Sequence, residues 1–308
     1  MFRPAFGFGT VGRTLLRWSA AASTPSRSRP AGPRLPHLHS KRNLGDTAGH
    51  RVGFFSRDRR AYVMVIPACY VGLGLWYMKK VEEHAAEKST RPSKIDWVEA
   101  GVVSRVVRKQ NGCGCCWAMA AVASVEAIHI LKTSQSISLS VQELIDCDYS
   151  NRGCWGGFSF SALRYIQRNG LSSESSYPYM GLRSICKKDK LVAARISGFR
   201  LVYWTEDALE KAVAKQPVIV RLQGTIYLDN YKGGIMEYEA LPTRTNMHNV
   251  LIVGYGTDPN GVKYWRFKNS WGDDWGEGGF GRIRRHVADK RGVLGMFMEP
   301  GLYPVLNI

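Results

Sequence analysis

Acidic residues are nearly missing from the front of this 308-residue chain. Residues 1–45 contain none, and residues 1–60 hold only Asp46 and Asp58 against 12 Lys and Arg. Residues 61–90 carry three charges of each sign, so the formal net charge of +18 leaves +8 (18 − 10) for residues 91–308, where both signs are mixed. The excess therefore belongs to a leader. No RNP-, zinc- or helix-turn-helix-like pattern accompanies it, and no nucleic-acid partner is expected. Glycine shows no Gly-X-Y period, which excludes collagen, and no repeat recurs at solenoid or propeller spacing. No N-x-[ST] sequon is present, so glycosylation gives no support to a secretory route. Cysteine is absent after Cys186. The cysteines that exist are not spaced as C-x₂-C, and no paired His follows, so no metal and no cofactor is expected. What is present is a composition 44% hydrophobic and 11% aromatic, enough to bury a sizeable core.

The first 60 residues read as a basic, transit-like leader, or as a basic arm without a specific role, and four prolines, Pro25, Pro30, Pro33 and Pro36, argue against a folded unit there. Ala61–Met78 follows, 18 residues without a charge between Arg59-Arg60 and Lys79-Lys80. At a helical rise of about 1.5 Å per residue it spans about 27 Å, enough for a membrane anchor. Tyr62, Trp76 and Tyr77 sit near its ends, where interfacial aromatics belong. Pro67 weakens this reading, and a late signal-like segment is the alternative. The heavier basic flank is N-terminal, which would place residues 79–308 on the non-cytosolic side. Residues 79–91 read as a polar linker, and Pro92 opens the globular part.

Of seven cysteines, Cys69 lies in the uncharged run and six fall between Cys113 and Cys186. Cys116 opens an Ala-rich apolar stretch, Ala118–Leu131, long enough for a core helix. At a helix N-terminus, unpaired N–H groups and the dipole favour a thiolate. A thiolate needs a proton partner. Beyond the leader and linker the chain offers His129, His248 and His286. His129 falls more than three turns along the same helix, and His286 sits in a basic run that, with Arg282, Arg284, Arg285, Lys290 and Arg291, reads as a solvated face. His248 stands at the edge of an apolar strand, Asn249–Val253, where an imidazole is well held. Asn269, after the aromatic strand Tyr264–Phe267, can orient it.

The separations, 248 − 116 = 132 and 269 − 116 = 153, together with Cys113-Gly114-Cys115-Cys116-Trp117, resemble the papain-like, cathepsin-type cysteine peptidases, whose signature and spacing are a known example. Further motifs follow in the family's order: Ile95-Asp96-Trp97, Gln142-Glu143-Leu144, Gly153-Cys154-Trp155-Gly156-Gly157, Tyr177-Pro178-Tyr179, Gly254-Tyr255-Gly256, Asn269-Ser270-Trp271-Gly272 and Tyr303-Pro304. The resemblance covers residues 92–306. It implies an α+β, two-domain papain-like fold within a peptidase domain 92–308, with a helical left domain (about 97–199), a β-barrel-like right domain (about 200–300) and the active site in the cleft between them. It also implies a cysteine-type endopeptidase acting on polypeptides through an acyl-enzyme. Cys116 would be the nucleophile, His248 its ion-pair partner, Asn269 the orienter, Gln110 an oxyanion-hole donor and Trp271 the cover over the His–Asn bond. Gly156, Gly157, Phe158, Arg221, Met247 and Glu299 would line substrate subsites. Disulfides Cys113–Cys154 and Cys147–Cys186 are implied, as are cystatin-like inhibitors, a monomer, and a vacuolar, lysosomal or extracellular lumen. The transit-like leader points instead to a mitochondrion. The runner-up reading is a catalytically impaired homologue that binds peptides or inhibitors.

The sequence departs from the family pattern in four places. Cys115 replaces a usual Ser, either as a near-isosteric packing residue or as a redox-labile neighbour. The right domain lacks the third bridge, its places taken by the Ile235–Tyr238 region and Leu294. Residues 1–91 show no recognisable inhibitory propeptide. Arg221 stands where a small apolar residue is usual, and Met247 and Asn249 where Asn or Asp and Ala are common; an Arg221–Glu299 pair that narrows the pocket is expected.

Overall fold

The computed structural model describes residues 75–307 apart from 225, 244 and 245. The basic leader 1–60 and most of the 61–78 run lie outside the described residues. Helix α1 occupies residues 75–89, so most of the expected linker is helical. Helix α2 (Cys116–Thr133) follows from the Ala-rich stretch and stops at Ser134, which takes a left-handed conformation and donates its N–H to the Ile130 carbonyl. Its face has little polarity contrast because it is buried nearly all round. α2 is also, among the described residues, the one helix long and apolar enough to cross a membrane, yet most of it is packed in the protein core.

α3 (Val141–Cys147) begins at a Ser140 cap whose hydroxyl accepts from the Glu143 N–H. α4 (Ser159–Asn169) buries Ala162, Leu163 and Ile166. Together with α2 these helices enclose a core of Trp117, Leu139, Leu144, Ile145 and Leu171. Two disulfides, Cys113–Cys154 and Cys147–Cys186, staple this half.

The other half is an eight-stranded sheet. Its strands are β1 (Ile95–Asp96), β2 (Gly198–Val202), β3 (Val218–Gln223), β4 (Ile235–Met236), β5 (Met247–Thr257), β6 (Lys263–Lys268), β7 (Phe280–Arg284) and β8 (Gly301–Val305). They run in the order β2-β8-β3-β5-β6-β7-β4, with β1 added on β5; only the β4–β7 pair is parallel. The sheet thus reaches beyond residues 200–300 at both ends, because β1, the start of β2 and β8 complete it. β5 is the longest strand, and nine of its residues, His248–Gly256, are buried. A near-continuous apolar run is what a strand covered on both faces requires. Leu251 and Val253 face the helical core, whereas Val250 and Ile252 face the core of the sheet half. A bulge between Ile252 and Gly254 then shifts the register, and Tyr255 joins the sheet-side core.

Helix α5 (Glu206–Val213), capped by Thr205, lies against the sheet. Arg91 reaches its Asp207 at 2.8 Å, and Glu87 pairs with Lys211 at 2.7 Å, which ties α1 down. The basic cluster near His286 is solvated as expected at Arg284, His286, Lys290 and Arg291, but not at Arg285. Arg285 is only 5% exposed: it pairs with Glu206 and Glu210 and lies 4.6 Å over both the Tyr255 and Trp265 rings. Arg282, Arg284 and Arg291 pair with Glu277, Glu237 and Asp289. Where a third bridge is missing, Leu294 is fully buried and its N–H bonds the Tyr238 carbonyl at 3.1 Å.

Full reduction is expected to release four thiols beyond those free in the folded chain, counted by alkylation and mass measurement; six would mean a third bridge. Closing a loop of 39 residues contributes about 4 kcal/mol on the chain-entropy model. The Cys147→Ser/Cys186→Ser variant should therefore unfold at clearly lower urea, with a loss of about 2–5 kcal/mol.

Candidate active site

The turn Cys113–Cys115 delivers Cys116 to the first position of α2. Gly114 sits so close to the Cys154 carbonyl that a Cβ there would lie 2.6 Å from its oxygen, so this position admits only glycine. The Gly114 N–H bonds that same carbonyl at 2.9 Å. With the Cys113–Cys154 bridge, this fixes the turn in front of the helix. Cys116 thereby looks into a cleft of about 730 Å³ between the two halves.

His248 enters from β5 and is 7% exposed. Its Nε2 lies 2.7 Å from Asn269 Oδ1, which also accepts the Ser270 N–H at 2.8 Å. An amide oxygen accepts, so Nε2 carries the proton and Nδ1 is left for the thiol. The centre of the Trp271 ring lies 4.7 Å from that of the imidazole. Burial alone would push the Cys116 thiol up. The hydrogen bond and charge of His248, with help from Asn249, outweigh burial and bring the thiol down to about 7. Burial would likewise push His248 down, but Cys116 and then Asn269 reverse this, so its pKa lies above the ordinary imidazole value. The two groups titrate as a coupled pair and favour a thiolate–imidazolium state.

Gln110 is held from both sides. Its Oε1 accepts the Ser270 hydroxyl at 2.6 Å, which fixes the amide orientation, and Nε2 donates to the Cys113 carbonyl at 2.9 Å. The second Nε2 hydrogen is left for the cleft, which Gln110 lines beside Cys116. Cys115 points the other way. It is fully buried, 3.3 Å from the Tyr179 hydroxyl, and that hydroxyl donates to the Gln110 carbonyl at 2.8 Å. Burial pushes the Cys115 thiol up to about 11, with Tyr179 offsetting only part. That favours the packing reading of Cys115 over the redox one.

The remaining expected residues converge here. Gly156, Gly157, Phe158, Arg221, Met247 and Trp271 line the cleft. Glu299 joins Phe158 and Arg221 in a small side pocket with Leu201, Ile219 and Leu302. Arg221 Nη1 donates to both Glu299 oxygens, at 2.9 and 2.7 Å, and its guanidinium carbon lies 5.0 Å from the Phe158 ring centre. His129 stays outside the site, its Nδ1 near the Gln135 carbonyl. Sequence reasoning missed Ser270 as the link between Gln110 and Asn269, Asn249 as a neighbour of the thiol, and Ser159 behind Asn249. Their only sequence signal is adjacency to Asn269, His248 and Phe158. Among the described residues, no group of three or more His, Cys, Asp or Glu side chains is arranged to hold a metal.

The model of the papain family cysteine protease matches residues 91–300. The chain belongs to the papain family. The senescence-specific cysteine protease SAG39 of Oryza sativa subsp. indica is 44% identical over 219 residues, covering 69% of this chain and 63% of that protein. Fruit bromelain of Ananas comosus is 39% identical, covering 71% and 62%. The chain thus spans about three fifths of the length of these curated relatives. Among solved structures, the bromelain protease of Ananas comosus, in complex with an inhibitor, is 39% identical with a TM-score of 0.65, covering 70% of this chain and all of that one. The proform of the ragweed pollen allergen Amb a 11 gives a TM-score of 0.67 at 39% identity, covering 71% and 68%. The papain-like, α+β fold follows from these likenesses and from the two halves described above.

The electrostatics separate the two neighbouring thiols. With iodoacetamide at pH 7, peptide mass mapping should find Cys116 alkylated and Cys115 unmodified. Equal modification of both would contradict the buried, protonated state of Cys115.

Proposed function

We propose that this chain is a cysteine-type endopeptidase, a hydrolase of polypeptides that works through an acyl-enzyme. The observation that carries the reading is the sequence of contacts from Cys116 through His248 to Asn269 beside a cleft of about 730 Å³. Cys116 Sγ attacks the scissile carbonyl carbon as a thiolate. The developing oxyanion takes hydrogen bonds from the Cys116 backbone N–H, which as a first-turn donor has no intrahelical partner, and from Gln110 Nε2. The His248 imidazolium gives its proton to the leaving amine, and the C–N bond breaks to leave a thioester. Neutral His248 then takes a proton from water as the water attacks that thioester. The carboxylate product leaves, and the thiolate–imidazolium pair returns. Asn269 keeps the ring in line throughout, and Trp271 keeps water from competing for the His–Asn bond.

The sign of the pH dependence follows. Activity rises as pH increases through the region where the thiolate forms, near 7, and falls again once the imidazolium loses its proton. Gly156, Gly157 and Met247 line the groove for the substrate backbone. Phe158, Arg221 and Glu299 close the side pocket for the residue before the one cleaved. An oxidising, non-cytosolic lumen fits two disulfides. The uncharged run 61–78 would tether the domain to a membrane, and the same cleft would accept cystatin-like inhibitors of a monomeric enzyme.

A thiol-directed peptidyl probe should label the wild-type chain and Cys115→Ser but not Cys116→Ser, and peptide hydrolysis should follow the same order. Equal loss in both variants would remove Cys116 from its role. Arg221→Ala leaves Glu299 unpaired at the pocket floor. A library varied at the residue preceding the cleaved one should then shift toward Lys and Arg. An unchanged profile would separate the pair from specificity.

A further inference from the structure

His248 is not the only side chain that reaches the sulfur of Cys116. Asn249, the next residue on β5, places its Nδ2 3.5 Å from Cys116 Sγ. Strand alternation sends Asn249 to the same side as Leu251 and Val253, toward α2, and it is only 3% exposed. Its far end meets a serine. Oδ1 lies 3.2 Å from the Ser159 hydroxyl, which also bonds the Trp117 carbonyl at 2.9 Å. Ser159 opens α4 and Trp117 follows Cys116 in α2, so the amide is braced by the two helices that shape the thiol's surroundings. The single hydroxyl hydrogen is shared between the Trp117 carbonyl and Oδ1, and the NH₂ group faces the sulfur. A thiolate accepts that hydrogen bond well, whereas a neutral thiol gains little from it.

We infer that Asn249 is a second donor to the Cys116 thiolate, acting with His248 to set how readily the thiol ionises and how strongly the thiolate attacks. This rests on the reading of Cys116 as the nucleophile. The charged and titratable groups around the sulfur are His248 on β5, Cys115 at the helix cap, and Arg152, Arg221 and Asp229 on the cleft walls. The side chains that hydrogen-bond the sulfur are those of His248 and Asn249. The Asn249 backbone N–H also favours the thiolate and survives truncation, so replacing the side chain isolates the amide. A donor that stabilises the resting thiolate trades basicity for nucleophilicity: ionisation becomes easier, and each ionised sulfur attacks more slowly.

The test is the rate of Cys116 alkylation by iodoacetamide against pH, read by peptide mass mapping on the full chain. It needs no peptide substrate. In Asn249→Ala the midpoint should rise by about half a pH unit or more, and the plateau rate at high pH should rise about 1.5–2-fold. Ser159→Ala, which removes only the brace, should shift the midpoint in the same direction by less. Melting curves that match wild type show that both variants are folded. A midpoint that stays or falls in Asn249→Ala, while the wild type retains its low midpoint, overturns the role of Asn249 and leaves the nucleophile assignment standing. A wild-type Cys116 that titrates like an ordinary thiol overturns both.

Discussion

A thiolate and an imidazolium must face each other although they are carried by different halves of the molecule. Cys116 rides on the first turn of α2, and His248 rides on β5. Neither element is free to move, because each is buried against the other. α2 is apolar nearly all round, with helices α3 and α4 on one side and Leu251 and Val253 of β5 on the other. β5 is buried on both faces over nine residues. The contact between the central helix and the central strand therefore sets the distance between thiol and imidazole. A methylene lost at this interface would leave a cavity that the close-packed surroundings could not fill.

The oxyanion and orienting groups are coupled by a second seam. Ser270 donates its N–H to Asn269 Oδ1 and its hydroxyl to Gln110 Oε1, and its carbonyl accepts the Gln110 N–H at 2.8 Å. One residue from the sheet half thus holds both the amide that steers His248 and the amide proposed to receive the oxyanion. On the far side, Cys115 and Tyr179 hold the Gln110 carbonyl. This explains how a cysteine fits where the family usually has serine. The position calls for a small buried group that can meet a hydroxyl, and a neutral thiol does so without becoming a competing nucleophile.

Much of this was legible in the sequence because it is local or rests on ordered motifs. The helix start at Cys116, the buried strand after His248 and the position of Asn269 all follow from short patterns. The pairing of Arg221 with Glu299 also followed, since a charge at an expected pocket wall needs a partner. What was not legible depends on which way a side chain turns. Asn249 reads as a flanking residue until strand alternation and the bulge at Ile252–Gly254 show which core each β5 residue faces. Arg285 reads as one more charge in a basic run, yet the faces of Tyr255 and Trp265 that it covers cannot be inferred from that run. Ser159 and Ser270 carry no signal, because a serine beside a motif is ordinarily a solvent or cap residue.

The two halves also solve stability differently, which accounts for where the cysteines are. The helical half connects α3 to α4 and α4 to β2 by long stretches with little regular structure, and its backbone has few ladder partners there. Loops of this kind are entropically costly to order, and bridges across 39 and 41 residues act on that term. The sheet half has no such need. β3, β5, β6 and β7 form a continuous antiparallel ladder whose register is fixed by which core each residue faces. Where a third bridge would have tied its loops, Leu294 instead fills the core and bonds Tyr238 through the backbone. A packed side chain can replace a covalent staple here because the backbone around it is already paired. Around Cys147 and Cys186 the chain is held instead by side chains, with Met180 and Ser184 donating their N–H groups to Gln142 and Asp146, and the bridge adds a covalent tie to those contacts.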